Sequence, residues 1–368
     1  MNIGLCGFGV VGRGVYEIVR QRPDMKVKKI LCLEDIQLPD AQTVKDFSEI
    51  LNDPEIDTVV EAMGGLHPSF DFAYAALEAG KNVVSSNKAM VCTFYDQLVP
   101  LAAKKGVSLR CTAAVGGGIG WLSELERARR VQTINQVGGI MNGTCNYILD
   151  NMTRLGLGYD EALKQAQKLG YAEANPATDV DGIDTWHKVI LSANVAFGIS
   201  LDKTTVPVSG IRNISAADVD CFKAHGKVCK LISTAKRTED GFSAYVQPTL
   251  VDAGSPEGAV PLNYNLITFI GQTSERMSFY GQGAGRYPTA YNVVQDLVDV
   301  TQGKSFYAPY GAPQAADNQE AHRYYVRGDW EGSIQEDWST GVITTPVPVS
   351  QMHQWVKDHP DAFIAGVD

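Results

Sequence analysis

The chain has 368 residues, of which 44% are hydrophobic and 20% charged, with a formal net charge of −10. That length suits two domains or one domain with a large insertion, and the composition is that of a soluble globular protein. The acidic balance excludes a general nucleic-acid surface, no run of Lys and Arg supplies a local one, and no apolar stretch reaches the about 18 residues of a membrane span.

Residues 2–7 already read as a strand and lack a basic n-region, so no secretory leader is expected. The seven cysteines, at 6, 32, 92, 111, 145, 221 and 229, are scattered and never spaced CxxC. They read as reduced thiols of a cytoplasmic protein. The six histidines show no metal-ligand spacing, which argues against a zinc site.

The N-terminal NIGLCGFGVVGRG places Gly7, Gly9 and Gly12, with Val10 and Val11 between them, after a short strand and before a helix that runs to about Arg20. In that context GxGxxG is a dinucleotide fingerprint: the glycines let backbone approach a pyrophosphate at the helix N-terminus. A Gly-rich turn with no ligand is the plainer alternative. A second strand, about 27–33, ends at Glu34-Asp35, where an acid can bind ribose hydroxyls. No arginine follows at once to accept a 2′-phosphate, which favours NAD over NADP.

Strand and helix keep alternating. Strands at 56–62, 82–85 and 107–111 are separated by helices at 68–79 and 97–105, the pattern of a doubly wound parallel sheet. Lys88 falls just past a strand end, where such sheets bind ligands, although a solvated loop lysine would look the same. Residues 113–119 form another glycine loop. A strand at 132–141 introduces Asn142-Gly143-Thr144, which caps a helix to about Arg154, and a further helix covers 159–169.

Residues 169–188, LGYAEANPATDVDGIDTWHK, gather Glu173, Asp179, Asp181, Asp184 and Lys188. Asp181 reads as the N-cap of a helix over 183–198, with Asp184 in its first turn. A surface ion pair on a capped helix would use the same residues. The helix argues otherwise: Ile183, Trp186, Val189, Ile190, Ala193 and Phe197 make one apolar stripe, while the face of Asp184 and Lys188 continues as Leu191 and Val195. An acid and a lysine ending a two-sided apolar helix line a pocket. Strands at 227–236, 242–251, 266–270 and 276–280 imply an α+β second domain. Residues 281–290 form a second glycine loop, with Gly283 and Gly285, before a helix from about Tyr291 to Thr301. Residues 303–368 read as a small subdomain or packed tail with one clear helix, near 349–358.

Taken together, GFGVVG, VVEAMGG at 59–65, SNKAM at 86–90, GGIMNGTCNYIL at 138–149, the 169–188 stretch and GQGAGRYPTAYNVVQDLVD at 281–299 resemble homoserine dehydrogenase. The resemblance covers roughly residues 2–302. It implies a Rossmann-type NAD(P)-binding domain over 1–130, completed by the helix at 283–302, and a catalytic and dimerisation domain over 131–282. The segment 303–368 would be a tail or truncated ACT-like remnant. It implies interconversion of L-aspartate 4-semialdehyde and L-homoserine by a cytoplasmic homodimer, without nucleic acid or membrane.

By the same resemblance Lys188 is the catalytic lysine, Lys88 lies near nicotinamide and substrate, Glu173 and Asp184 hold the amino acid, and Asp179 supports them. Gly64, Gly170, Gly283 and Gly285 match cofactor contacts. The family's monovalent-cation site corresponds to backbone at Val115, Gly117 and Ile119, with Thr112 where an acid is usual. Leu33 stands where the family often has arginine. His322 to Arg327 resemble the start of an ACT domain, but the stretch after Arg327 is short, so little threonine feedback is expected. The residues alone leave two alternatives: a dehydrogenase of another amino-acid-like carbonyl substrate, or a silent dinucleotide-binding metabolite sensor.

Overall fold

A computed structural model describes residues 1–304 and 311–367, so 305–310 and 368 of the expected C-terminal segment lie outside the described residues. The chain forms two compact units. One comprises Met1–Val131, Asn194–Ser200 and Gln282–Pro313, and the other Gln132–Ala193, Leu201–Gly281 and Gln314–Asp368.

The first unit begins β1 (Asn2–Cys6), α1 (Val10–Val19), β2 (Lys26–Leu31), β3 (Gln42–Val44), α2 (Ser48–Leu51) and β4 (Thr58–Glu61). It continues α3 (Ser69–Glu78), β5 (Asn82–Ser85), α4 (Lys88–Thr93), α5 (Tyr95–Lys105), β6 (Leu109–Arg110) and α6 (Trp121–Ala128). The strands lie in the order β3-β2-β1-β4-β5-β6 and every pairing is parallel. This is the doubly wound nucleotide-binding order, with ligand sites beyond the strand carboxyl ends. β4 is buried at every position, as a central parallel strand covered on both faces must be.

The strand expected over 27–33 stops at Leu31, and Leu33 is 91% exposed. An apolar residue alone does not extend a strand where no neighbour pairs with it. The short β3 was not foreseen, because its three residues carry no readable period.

The second unit holds β7 (Ile134–Ile140), α7 (Gly143–Leu155), α8 (Tyr159–Lys168), α9 (Ala177–Val180) and most of α10 (Ile183–Phe197). After β8 (Ser200–Leu201) come α11 (Ala216–Ala224), β9 (Lys227–Arg237), β10 (Phe242–Asp252), β11 (Tyr264–Gly271) and β12 (Glu275–Gln282). Then α12 (Arg286–Thr301) returns to the first unit, where Ala290, Val293, Val294 and Leu297 share a core with Val15, Tyr16 and Val19 of α1. It starts five residues before the expected helix at Tyr291. Gly285 caps it, and Pro288 sits in its first turn, where a missing N–H costs nothing.

The remaining elements are β13 (Pro313–Gln314), β14 (Ala321–Arg327), β15 (Ile334–Asp337), β16 (Val342–Thr344), β17 (Val347–Pro348), α13 (Val349–Asp358) and β18 (Phe363–Val367). They are not a loose tail. The second sheet runs β12-β11-β7-β9-β10-β18-β14-β16-β15, so β18 docks in parallel on β10 and carries the rest outward.

Fully buried Arg110 of β6 ties α12 to the first sheet. It reaches Asp296 at 3.2 Å, Asp299 at 2.9 Å and Glu126 at 3.1 Å, so the charge is well paired.

Candidate active site

The glycine loop after β1 has the shape a pyrophosphate requires. A Cβ on Gly12 would lie 2.1 Å from the carbonyl oxygen of Gly7, so only glycine lets α1 start so close to the strand end. Gly9 caps α1, and no atom lies within 4 Å of where its Cβ would be. Val10 is 66% exposed, Val11 half-buried, and the first turn of α1 has no acid. Open N–H groups at an unneutralised helix N-terminus suit an anion. Gly64, in the loop after β4, is similarly open.

Glu34 is exposed, and Arg13 reaches its Oε2 at 3.3 Å. Lys45 lies 2.7 Å from Asp35 and from the carbonyl oxygen of Leu33. The turn after β2 therefore pairs Glu34 and Asp35 with two cations from elsewhere in the chain, neither of which directly follows the strand.

Gly283 and Gly285 are held against the 115–119 turn. The Gly118 N–H donates to the carbonyl of Gln282 at 3.2 Å, and a Cβ on Gly117 would meet the Gly283 oxygen at 2.5 Å. Arg286 and Tyr287, at the start of α12, both bond Glu17 of α1. The carbonyls of this turn are partly engaged. The Gly117 carbonyl accepts from Asn292 Nδ2 at 2.5 Å, and the Ile119 carbonyl accepts from the Trp121 N–H at 2.6 Å. Thr112 gives its hydroxyl to Asp296 at 2.6 Å. Two of the three carbonyls thus already accept one hydrogen bond each.

Lys88 is the first residue of α4 and half-buried. Before it, the buried side chain of Asn87 accepts from the Met90 N–H at 3.1 Å and donates to the Gly65 carbonyl at 2.8 Å.

In the second unit the acids and the lysine converge on residues 141–142, between β7 and α7. Lys188 Nζ donates to the Met141 carbonyl at 2.7 Å and pairs with Asp184 Oδ2 at 2.7 Å. Lys188 and Asp184 are 7% and 5% exposed. From Lys188 to Phe197 every residue of α10 is buried, so the pair ends a helix enclosed on all sides. Asn142 Nδ2 donates to Asp179 Oδ1 at 2.7 Å and to Asp184 Oδ2 at 2.8 Å, while its Oδ1 caps α7 by accepting from the Cys145 N–H at 2.8 Å.

Asn142 is the member of this cluster that sequence reasoning missed. Its capping position was readable, and it marked the spot. Asp181 is a correction. It ends α9 rather than capping α10, and both its oxygens take Arg212; Gly182 supplies the first α10 carbonyl, to Trp186 at 2.8 Å. Glu173 is not drawn into the cluster. It is exposed, and among the described residues its carboxylate makes no hydrogen bond or ion pair. Gly170 ends α8 with a φ of +77° and open space where a Cβ would be.

An enclosed ammonium beside a carboxylate can pass a proton to an oxygen and stabilise its developing charge, and further acids can hold a substrate ammonium.

Comparison with known proteins places the chain in a family. Family models described as "Homoserine dehydrogenase" and "Homoserine dehydrogenase, NAD binding domain" match residues 121–298 and 7–112. The homoserine dehydrogenase of Bacillus subtilis is 34% identical over 330 residues, 84% of this chain and 76% of that protein. That of Lactococcus lactis is 34% identical over 369 residues, covering 93% and 84%. A crystal structure of a homoserine dehydrogenase from Thiobacillus denitrificans aligns over 100% of this chain and 98% of its own, with a TM-score of 0.87 and 28% identity.

Proposed function

Since the chain belongs to the homoserine dehydrogenase family, an NAD(P)-dependent oxidoreductase that interconverts L-aspartate 4-semialdehyde and L-homoserine towards threonine and methionine, we propose that Lys188 is its proton donor and acceptor. The observation that carries this is the enclosed Lys188–Asp184 pair, fixed at 2.7 Å against the Met141 carbonyl.

The nicotinamide, when bound, supplies the hydride for aldehyde reduction. Lys188 gives a proton to the carbonyl oxygen as charge builds there, and takes it back in the alcohol-to-aldehyde direction. Asp184 keeps the lysine oriented between turnovers. Asp184 and Asp179, joined by Asn142, receive the substrate ammonium, and exposed Glu173 has a carboxylate free to join them. Lys88 contacts nicotinamide and substrate. Gly7, Gly9 and Gly12 cradle the pyrophosphate, with Gly64, Gly170, Gly283 and Gly285 as further cofactor contacts. Glu34 takes the ribose hydroxyls and favours NAD, with Arg13 as the group that would meet a 2′-phosphate.

Steady-state assays with L-homoserine and either dinucleotide test this, with a higher kcat/KM expected for NAD. Lys188→Ala should cut kcat about 10²- to 10⁴-fold while leaving dinucleotide affinity nearly unchanged. A near-normal kcat removes Lys188 from the mechanism, and no turnover by the unaltered protein with either cofactor sinks the whole reading.

The assembly we infer is a homodimer formed through the second unit. Its sheet ends at β12, an edge strand that presents Met277 and Tyr280 to solvent, and such an edge favours pairing with another chain. A monomeric mass in sedimentation equilibrium would overturn that inference.

A further inference from the structure

Glu61, the last residue of β4, has no solvent exposure. A carboxylate at the end of a central strand is costly to bury, and an apolar residue would close the strand as well. What it gains is a set of hydrogen bonds. Its Oε1 accepts from the Met63 N–H at 2.9 Å, and its Oε2 accepts from Ser85 Oγ at 2.5 Å. Ser85 Oγ in turn accepts from the Asn87 N–H at 3.0 Å, and Asn87 Nδ2 donates to the Gly65 carbonyl at 2.8 Å. Ser69 Oγ completes the set by donating to the Gly64 carbonyl at 3.3 Å.

The consequence is a closed circuit. Residues 63–65, with two glycines and little intrinsic stiffness, are held at every position by a side chain: Met63 by Glu61, Gly64 by Ser69, Gly65 by Asn87. The second loop, 86–88, is held by the same circuit through Ser85 and Asn87, and its next residue is Lys88. Two strand-end loops that would otherwise move independently are referred to one carboxylate. Burial pushes the Glu61 carboxyl up, and pushes up the neighbouring Cys6 thiol, which also faces the Glu61 charge.

We propose that Glu61 is a positioning residue that sets the Gly64 and Lys88 loops in register for the dinucleotide. This rests on the functional reading above but assigns a role to a residue that the proton transfer does not use. Glu61→Gln isolates it. The amide keeps an acceptor for the Met63 N–H, but its nitrogen can meet Ser85 Oγ only as a donor, so the charged bond that joins the loops is replaced by a weaker neutral one of reversed direction with little change of volume.

The experiment measures NADH and NADPH binding to the purified full chain by titration, together with kcat, KM for L-homoserine and melting temperature. Glu61→Gln should weaken dinucleotide binding about tenfold, the size of one lost buried charged hydrogen bond, with a smaller change in KM for L-homoserine. Ser85→Ala should reproduce the effect if Glu61→Gln fails to fold. Combining Glu61→Gln with Asn87→Ala should weaken binding no further than the worse single variant, because both act on one circuit. Unchanged dinucleotide affinity in Glu61→Gln, or effects that multiply in the double variant, overturns the proposal. If the unaltered protein binds neither dinucleotide, the functional reading falls and takes this proposal with it.

Discussion

Asn142 uses one amide for two tasks. Its oxygen holds the first turn of α7, and its nitrogen keeps two carboxylates, Asp179 and Asp184, within reach of one another. Substitutions separate the tasks. Asn142→Ala loses the cap, about 1 kcal/mol of stability, and leaves both acids without their shared donor. Asn142→Asp restores the cap, since aspartate caps as well as asparagine, but sets a third carboxylate against the other two. We expect the Asp variant to melt near the unaltered protein yet raise KM for L-homoserine at least as much as the Ala variant. If KM instead follows melting temperature across both variants, Asn142 is only a cap. The lysine was legible in sequence because apolar residues surround it at helical spacing. The asparagine was not, because a cap that also joins two carboxylates looks like any other cap.

At the scale of elements, α10 and α13 were legible and α12 was only partly so. The apolar stripe of α10 has no competing reading, whereas Pro288 and three nearby glycines made the first turn of α12 look like loop. The short strands β14–β18 lacked any period long enough to register, and the β10 partner of β18 lies far away in sequence.

α13 brings its own pH sensitivity. It buries His353, whose Nδ1 faces Ser209 Oγ at 3.0 Å and whose Nε2 faces Gln247 Oε1 at 3.0 Å. Burial, aided by Lys357, pushes its pKa down to about 3. A histidine held neutral in the fold binds a proton more readily once unfolded. Its stabilisation is therefore complete above the ordinary value near 6.5 and is lost as pH falls from there towards 3, at up to about 1.4 kcal/mol per pH unit. Melting temperature should drop between pH 7 and 5, and His353→Gln should flatten that drop. Parallel curves for the two proteins would show that His353 does not control it.

For the molecule as a whole, the fold class was readable because five of the six parallel strands alternate with helices and carry their own signal. The extent of the second sheet was not. The residues from 314 onward join the unit that carries Lys188 rather than forming a separate effector module. Activity should accordingly stay flat across a titration with millimolar threonine, and strong saturable inhibition would refute this.

The place of β18 has a further consequence, for assembly. In hydrogen-bonded order it lies between β10 and β14, so strands β14, β16 and β15 reach the rest of the sheet through a strand that comes after all of them in the chain. During synthesis residues 321–344 emerge before the strand on which they dock exists. Until residues 363–367 arrive, β10 lacks its partner at Thr249 and Leu250, and the apolar Tyr324, Val326 and Val347 lack the Ile364 they pack against. The nascent chain is thus most exposed to mispairing just before its second sheet can close.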